Sequence, residues 1–212
     1  MMTGFEPAPG IDKTPSGELA KLWASEQMVD GLEVRSVVIP QVFRVCSRVA
    51  ISEVLAFQPD FIIMYGAVPS NDAVRIERFA LNVTHSQMGD NTRIPVHDRK
   101  ISQDGPAAYE TTLPFDFLLS RLDAAGVRAR LSYNVGQHTC CDEMYSVLDF
   151  LARSGLRIPC GFVHVPFPIE FAFGIAEDET GLMHWADIRR ASAVIAASMV
   201  EHCSRAVRST DA

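Results

Sequence analysis

The sequence predicts an α/β fold: a single-domain α/β/α sandwich with a twisted, largely parallel (mixed) sheet covered on both faces. Two observations carry this. Short apolar runs with strand character alternate with longer runs at helical spacing along the chain, the pattern of strands joined through crossover helices. At 212 residues the chain is long enough for one substantial core, and no linker, repeat or low-complexity tract splits it. Residues 1–212 are therefore expected to form one domain.

In chain order, a helix at Ser16–Glu26 precedes a strand at Val34–Ile39, a helix at Phe43–Ala56 and a strand at Asp60–Tyr65. Ile76–Val83 reads as a strand in which Glu77 shares a face with Phe79, Leu81 and Val83. Between Thr84 and Thr112 the pattern weakens into a polar stretch with Gly, Asp and Pro. It is too long for a simple connector and is the kind of loop that carries function or a lid. A helix at Phe115–Ala125 leads to a strand at Val127–Tyr133. Asn134-Val135-Gly136-Gln137 is turn chemistry, after which Met144, Val147, Leu148 and Leu151 recur at helical spacing within Cys140–Arg153. The last strand is Cys160–Val165. Met183–Arg205 is a packing helix, with Ala191, Val194, Ile195, Met199 and His202 near helical spacing, and the tail from about 205 to 212 is expected to fray.

The net charge of −7 and the absence of a basic cluster disfavour a nucleic-acid partner, because such binding neutralises phosphate with grouped Lys and Arg. No apolar run is long enough for a bilayer, and the N-terminal residues lack the regions of a signal peptide, so no membrane association and a cytoplasmic location are expected. Five cysteines, an odd number without an export signal, point to free thiols. Cys46, Cys160 and Cys203 read as core or helix residues.

Three residues stand out chemically. His164 interrupts the apolar strand Gly161-Phe162-Val163-His164-Val165-Pro166 where an aliphatic residue is expected. Cys140 opens a helix, where a thiol feels the positive end of the backbone dipole. Glu77, on an apolar strand face, would need to be protonated or well paired. A thiol, an imidazole and a buried acid are the parts of a nucleophilic acyl-transfer site. Taken singly, each also has a plain reading: a small buried hydrophobe, a satisfied core histidine and a structural ion-pair partner.

The motifs in sequence resemble the pyroglutamyl peptidase I family, cysteine peptidases that remove an N-terminal pyroglutamate. The resemblance runs from Thr3 to about Ile169. It rests on Thr3-Gly4-Phe5-Glu6-Pro7, Gln58-Pro59-Asp60, Glu77-Arg78-x-Ala80-x-Asn82, Ile101 to Tyr109, Leu113-Pro114, Ser132-Tyr133-x-x-Gly136-x-x-x-Cys140 with Tyr145, and Gly161 to Pro166. It implies a pyroglutamyl peptidase-like fold, Cys140 as nucleophile, His164 as general base and later acid, and Glu77 as the acid orienting the imidazole. It implies a small peptide or amide substrate and allows a homo-oligomer, with no patch assignable to an interface. A zinc site at Cys140, Cys141, His138 and His164 is not expected, because adjacent cysteines seldom both ligate one tetrahedral ion and the chain has no Cys-x-x-Cys pair, and no cofactor is expected.

The departures from the family fall in the substrate pocket, implied at Phe5, Ala8, Thr14, Ala67, Gln87 and Thr139. Phe5 is kept, but Ala8 and Pro9 replace the following Phe-Gly, removing one wall of a ring clamp. Thr14 replaces an asparagine. Gly66-Ala67-Val68-Pro69-Ser70 lacks a glutamine, and Gln87 stands where the family has an arginine that supports the oxyanion. A shifted alignment would put Arg93, in Thr92-Arg93-Ile94-Pro95, in its place, but the ungapped alignment is preferred because Glu77 and Ser102 keep their family spacing under it. His138 is expected near the pocket mouth, and Cys141 as a neighbour able to trap the nucleophile in a disulfide under oxidation. With only Met1 and Met2 ahead of Thr3, the expectation is either that the start is misassigned or that the first strand is curtailed, weakening the sheet that positions Phe5.

The expected function is cysteine-dependent hydrolysis of an amide after a pyroglutamyl or related cyclic or small acyl group, through an acyl-enzyme. Activity on ordinary pyroglutamyl peptides is expected to be weak. The alternatives are the same triad acting on a dedicated specialised-metabolite substrate by lactam or amide hydrolysis, cyclisation or acyl transfer, and a catalytically silent ligand-binding member.

Overall fold

A computed structural model describes residues 1–26, 28–69, 72–171 and 183–210, the side chains of 206–210 aside. Its main sheet is built from β1 (Met2–Phe5), β2 (Ser36–Ile39), β3 (Ile62–Val68), β4 (Val74–Glu77), β9 (Ala129–Ser132) and β10 (Cys160–Pro166). The order is β2-β1-β3-β10-β4-β9. The first four strands of that order run parallel; β4 is antiparallel to β10 and parallel to β9. The sheet is thus largely parallel and mixed, as predicted.

Alternation along each strand supplies two cores. Met2, Ile63, Tyr65, Val74, Ile76, Val163 and Val165 face one cluster, which is completed by α1 (Pro15–Ser25), α3 (Phe115–Ala124) and α5 (Trp185–Thr210). Phe5, Ile39, Ile62, Met64 and Phe162 face the other, against α2 (Val45–Phe57) and α4 (Thr139–Ser154). Burial of large side chains on both faces, each contributing about 1.5–3 kcal/mol, fits the near-continuous apolar runs of a covered sheet.

Two strand expectations need correction. The first strand is not weakened: β1 is buried along its whole length and pairs on both sides, Met2 with Ser36 and Ile63. Gly4 permits this packing, because a Cβ there would lie 2.0 Å from the Ser16 carbonyl oxygen at the start of α1. In turn Ile76–Val83 is not one strand. At Arg78 the chain leaves the main sheet, its N–H donating to Ser132 O and its carbonyl accepting from Thr111 N. The next segment, β5 (Phe79–Leu81), pairs instead with β8 (Ala108–Glu110).

The polar stretch 84–112 is pinned rather than loose. It holds the hairpin β6 (Thr84–Ser86) and β7 (Val96–Arg99), and its loop at 101–105 is clamped by Asn82. The Asn82 amide donates to Ser102 O and Gly105 O and accepts from the Ile101 and Ser102 N–H groups. Tyr145 O–H completes the clamp by donating to Pro106 O at 2.7 Å. At the C-terminus, α5 runs to Thr210, past the expected end at Arg205; residues 211–212 of the expected frayed tail, and Ser70, lie outside the described residues.

Candidate active site

The register of β4 on β10 builds the first half of the site. Glu77 lies opposite Phe162 and Arg75 opposite His164, so Glu77 and His164 are diagonal neighbours on one face. His164 Nδ1 is 2.8 Å from Glu77 Oε1, with both side chains buried. If Glu77 is ionised it accepts from Nδ1–H, which fixes the tautomer with Nε2 as the basic nitrogen. Phe162 packs on the imidazole at 4.9 Å between centroids and Phe5 on Phe162 at 6.5 Å. Opposite the imidazole, β3 supplies Gly66: a Cβ there would meet His164 Cδ2 at 2.8 Å and the Phe162 ring at 2.7 Å. The absence of a side chain at 66 is what lets the ring lie on the sheet.

The second half comes from α4, which packs on that same face. Cys140 is the second residue of the helix, after N-cap His138 and Thr139. The residue is half-buried, but its thiol is enclosed. Burial pushes the thiol up from its ordinary value, and Glu143, Cys141 and Glu77 add to that. Desolvation and these neighbours thus act against the effect of the helix end on the thiol.

The surroundings tie the helix start down. His138 Nε2 is 2.8 Å from Gly89 O and Nδ1 is 3.1 Å from Thr139 Oγ1, while Phe43 packs on the ring at 5.1 Å. Asp142 Oδ2 accepts from Arg44 N at 2.6 Å and from the Ser47 hydroxyl at 3.1 Å, joining α4 to α2. Asp90 would be raised by burial, but bonds from the Thr92 hydroxyl and from the Phe43 and Thr92 N–H groups, with His138 nearby, hold it below its usual range.

The pocket residues named from sequence separate into two groups. Ala8 and Gln87 line one cleft of about 790 Å³ with Pro9, Arg93 and His138. His138 and Arg93 share this cleft with Gln87. Ala67 follows Gly66 on β3 and pairs with Val165. Phe5, Thr14 and Thr139 are engaged within the protein instead. Phe5 is buried. Thr14 caps α1, donating to Phe5 O and accepting from Gly17 N. Thr139 is buried, its hydroxyl facing His138. Cys141 is buried and donates to Leu81 O at 3.1 Å, so its thiol is held toward β5.

The sequence profile of the pyroglutamyl peptidase family matches residues 1–199. The chain belongs to the pyroglutamyl peptidase family. It is 29% identical over 202 residues to pyrrolidone-carboxylate peptidase 2 of Streptococcus pneumoniae serotype 4, covering 95% of this chain and 92% of that protein. It is 32% identical over 167 residues to the pyrrolidone-carboxylate peptidase of Thermococcus onnurineus, covering 79% and 82%. The solved pyrrolidone carboxyl peptidase of Thermococcus litoralis superposes with a TM-score of 0.89 at 26% identity over 96% of this chain and 94% of that one. Pyroglutamyl peptidase family members are cysteine peptidases, and so is this chain; the family supports pyroglutamyl peptidase activity. No helix among the described residues is long and apolar enough to cross a membrane.

Two buried acids, Asp142 and Glu143, escaped the sequence reading. Glu143 is fully buried one turn after Cys140; its Oε1 accepts from Thr3 Oγ1 at 2.6 Å, and Oε2 has no hydrogen-bond partner among the described residues. Its signal was present in the spacing Glu143, Val147, Leu151, an acid in line with an apolar stripe at i, i+4 and i+8.

Proposed function

We propose that this family member hydrolyses the amide bond after an N-terminal pyroglutamyl or similarly small cyclic acyl group, with Cys140 as nucleophile, His164 as general base and acid, and Glu77 orienting the imidazole. The observation that carries it is the buried 2.8 Å contact between His164 and Glu77 on the sheet face against which α4 presents Cys140. Because the thiol is neutral at rest, the sequence starts with proton transfer. His164 Nε2 takes the thiol proton as Sγ bonds to the scissile carbonyl carbon, and the oxyanion is met by N–H groups of the first turn of α4. Collapse breaks the C–N bond, and His164 hands its proton to the departing amine. Water then attacks the thioester, giving one proton to His164. The acid leaves, and the proton returns to the thiolate.

Ala8 and Gln87, on the cleft, are the substrate-facing departures in this reading, with Ala67 beside the histidine. Phe5 acts by supporting Phe162 beneath the imidazole, and Thr14 and Thr139 by holding α1 and the start of α4. A dedicated metabolite substrate or a silent binding role has no observation in its favour.

Hydrolysis of a fluorogenic pyroglutamyl amide by the reduced protein tests the reading. Turnover is expected, and Cys140→Ser is expected to lose it to background. Equal turnover in Cys140→Ser would refute the assignment of the nucleophile.

A further inference from the structure

Glu143 is placed where a chemically idle carboxyl has no reason to be. It is fully buried between α4 and β1, with one oxygen bonded to Thr3 and the other without a hydrogen-bond partner among the described residues. An ionised carboxylate with a bare oxygen in such a site is costly, whereas a neutral acid is tolerated. Burial, with Asp142 adding to it and the Thr3 bond opposing it, pushes Glu143 up to about 8. The titratable groups around it come from three elements: Cys140 and Asp142 on α4, Cys46 on α2 and Cys160 on β10. Of these, Asp142 has its charge met by Arg44 N–H and Ser47. Cys46 and Cys160 are fully buried and stay protonated for the same reason of desolvation. Cys140 is the one whose activity requires it to lose a proton.

We propose that Glu143 sets the alkaline limit of the nucleophile: as a neutral acid it permits Cys140 to give up its proton, and once ionised it holds the thiol protonated and turns the site down. The proposal rests on Cys140 being the nucleophile. Glu143 is a positioning residue in this scheme, since it acts through Cys140 and meets no substrate. The sign follows from charge: a second negative group one helical turn away disfavours a thiolate, and it appears only as pH rises past the ionisation of Glu143.

The test compares pH profiles of kcat/KM for the wild-type protein and Glu143→Gln, which keeps the shape and removes the charge. In the wild type the activity should fall on the alkaline side with an apparent pKa near 8, and in Glu143→Gln that limb should move up by about one pH unit or more. An unchanged limb overturns the proposal. Thr3→Val is the second variant: it removes the bond that holds Glu143 down, so its limb should also move up, and no movement overturns the proposal even if Glu143→Gln fails to fold. The rate of Cys140 alkylation by iodoacetamide, read by peptide mass spectrometry, gives the same comparison without substrate. At pH 9 Glu143→Gln should alkylate roughly tenfold faster than wild type; equal rates overturn the proposal. Full turnover in Cys140→Ser would instead refute the nucleophile, a result separate from the alkylation comparison.

Discussion

Glu77 has one oxygen on His164 Nδ1 and the other, Oε2, buried without a hydrogen-bond partner among the described residues. In the proposed mechanism the acid fixes the tautomer in the resting site and stabilises the imidazolium formed when the thiol proton is taken. Glu77→Gln retains shape and a carbonyl acceptor but no charge. It should lower kcat/KM by about 10²- to 10⁴-fold while leaving the thermal midpoint little changed, measured by initial rates beside a melting curve. Activity near that of wild type would remove Glu77 from the mechanism. The residue was reached in sequence by an alternation that extended too far, since the strand ends at Glu77. The parity was right up to that point because β4 does alternate, with Val74 and Ile76 facing one core and Glu77 the other. Cys140 was also legible, but its protonation was not, because the desolvation that dominates it comes from elements distant in sequence.

At the scale of elements, the site depends on β3, β10 and α4 meeting closely. Gly66 is the point of closest approach, and the rings above it are buried and packed on each other rather than free to swing away. Gly66→Ala should therefore displace the imidazole. A shift of about 1 Å in a reacting group costs on the order of 10²-fold, so kcat should fall by about that factor while circular dichroism still reports the α/β fold. A variant with unchanged kcat would show that the ring can yield without loss. The loops are equally constrained. Asn82 clamps the 101–105 segment, so two stretches separated by some twenty residues in sequence are two sides of one hydrogen-bonded unit. A segment that reads as a lid from composition alone is held against the helix that carries Cys140, His85 N–H donating to Gln137 O and His138 meeting Gly89 O.

For the molecule as a whole, two buried ionisations pull stability in opposite directions with pH. Glu143 is raised from its ordinary 4.5 to about 8, so the folded state holds a proton that the unfolded state releases, and its contribution is lost as pH rises through that interval. The Met1 amine is lowered from 8.0 to about 5, by burial against Phe61 O and despite Asp60. Here the unfolded state binds the proton, and stability grows as pH rises. The two effects oppose each other between about pH 5 and 8, so the wild-type protein should show a nearly flat urea midpoint there. Glu143→Gln removes one of them, and its midpoint should climb with pH as the Met1 contribution alone remains; a falling midpoint in that variant would contradict the Met1 assignment, and identical pH dependence in variant and wild type would contradict the Glu143 one. The sequence alone determined the fold class and the order of most elements, and it singled out Cys140, His164 and Glu77 as candidates, because hydrophobic periodicity and spaced motifs are local properties of a chain. Only the tertiary structure decided that β1 is an interior strand, that Arg78 divides two sheets, that Thr14 and Thr139 are engaged internally, and that Glu143 is buried one turn after Cys140. Each of these depends on which distant groups remove water from a residue or supply its hydrogen bonds, and that is set by packing rather than by neighbours in sequence.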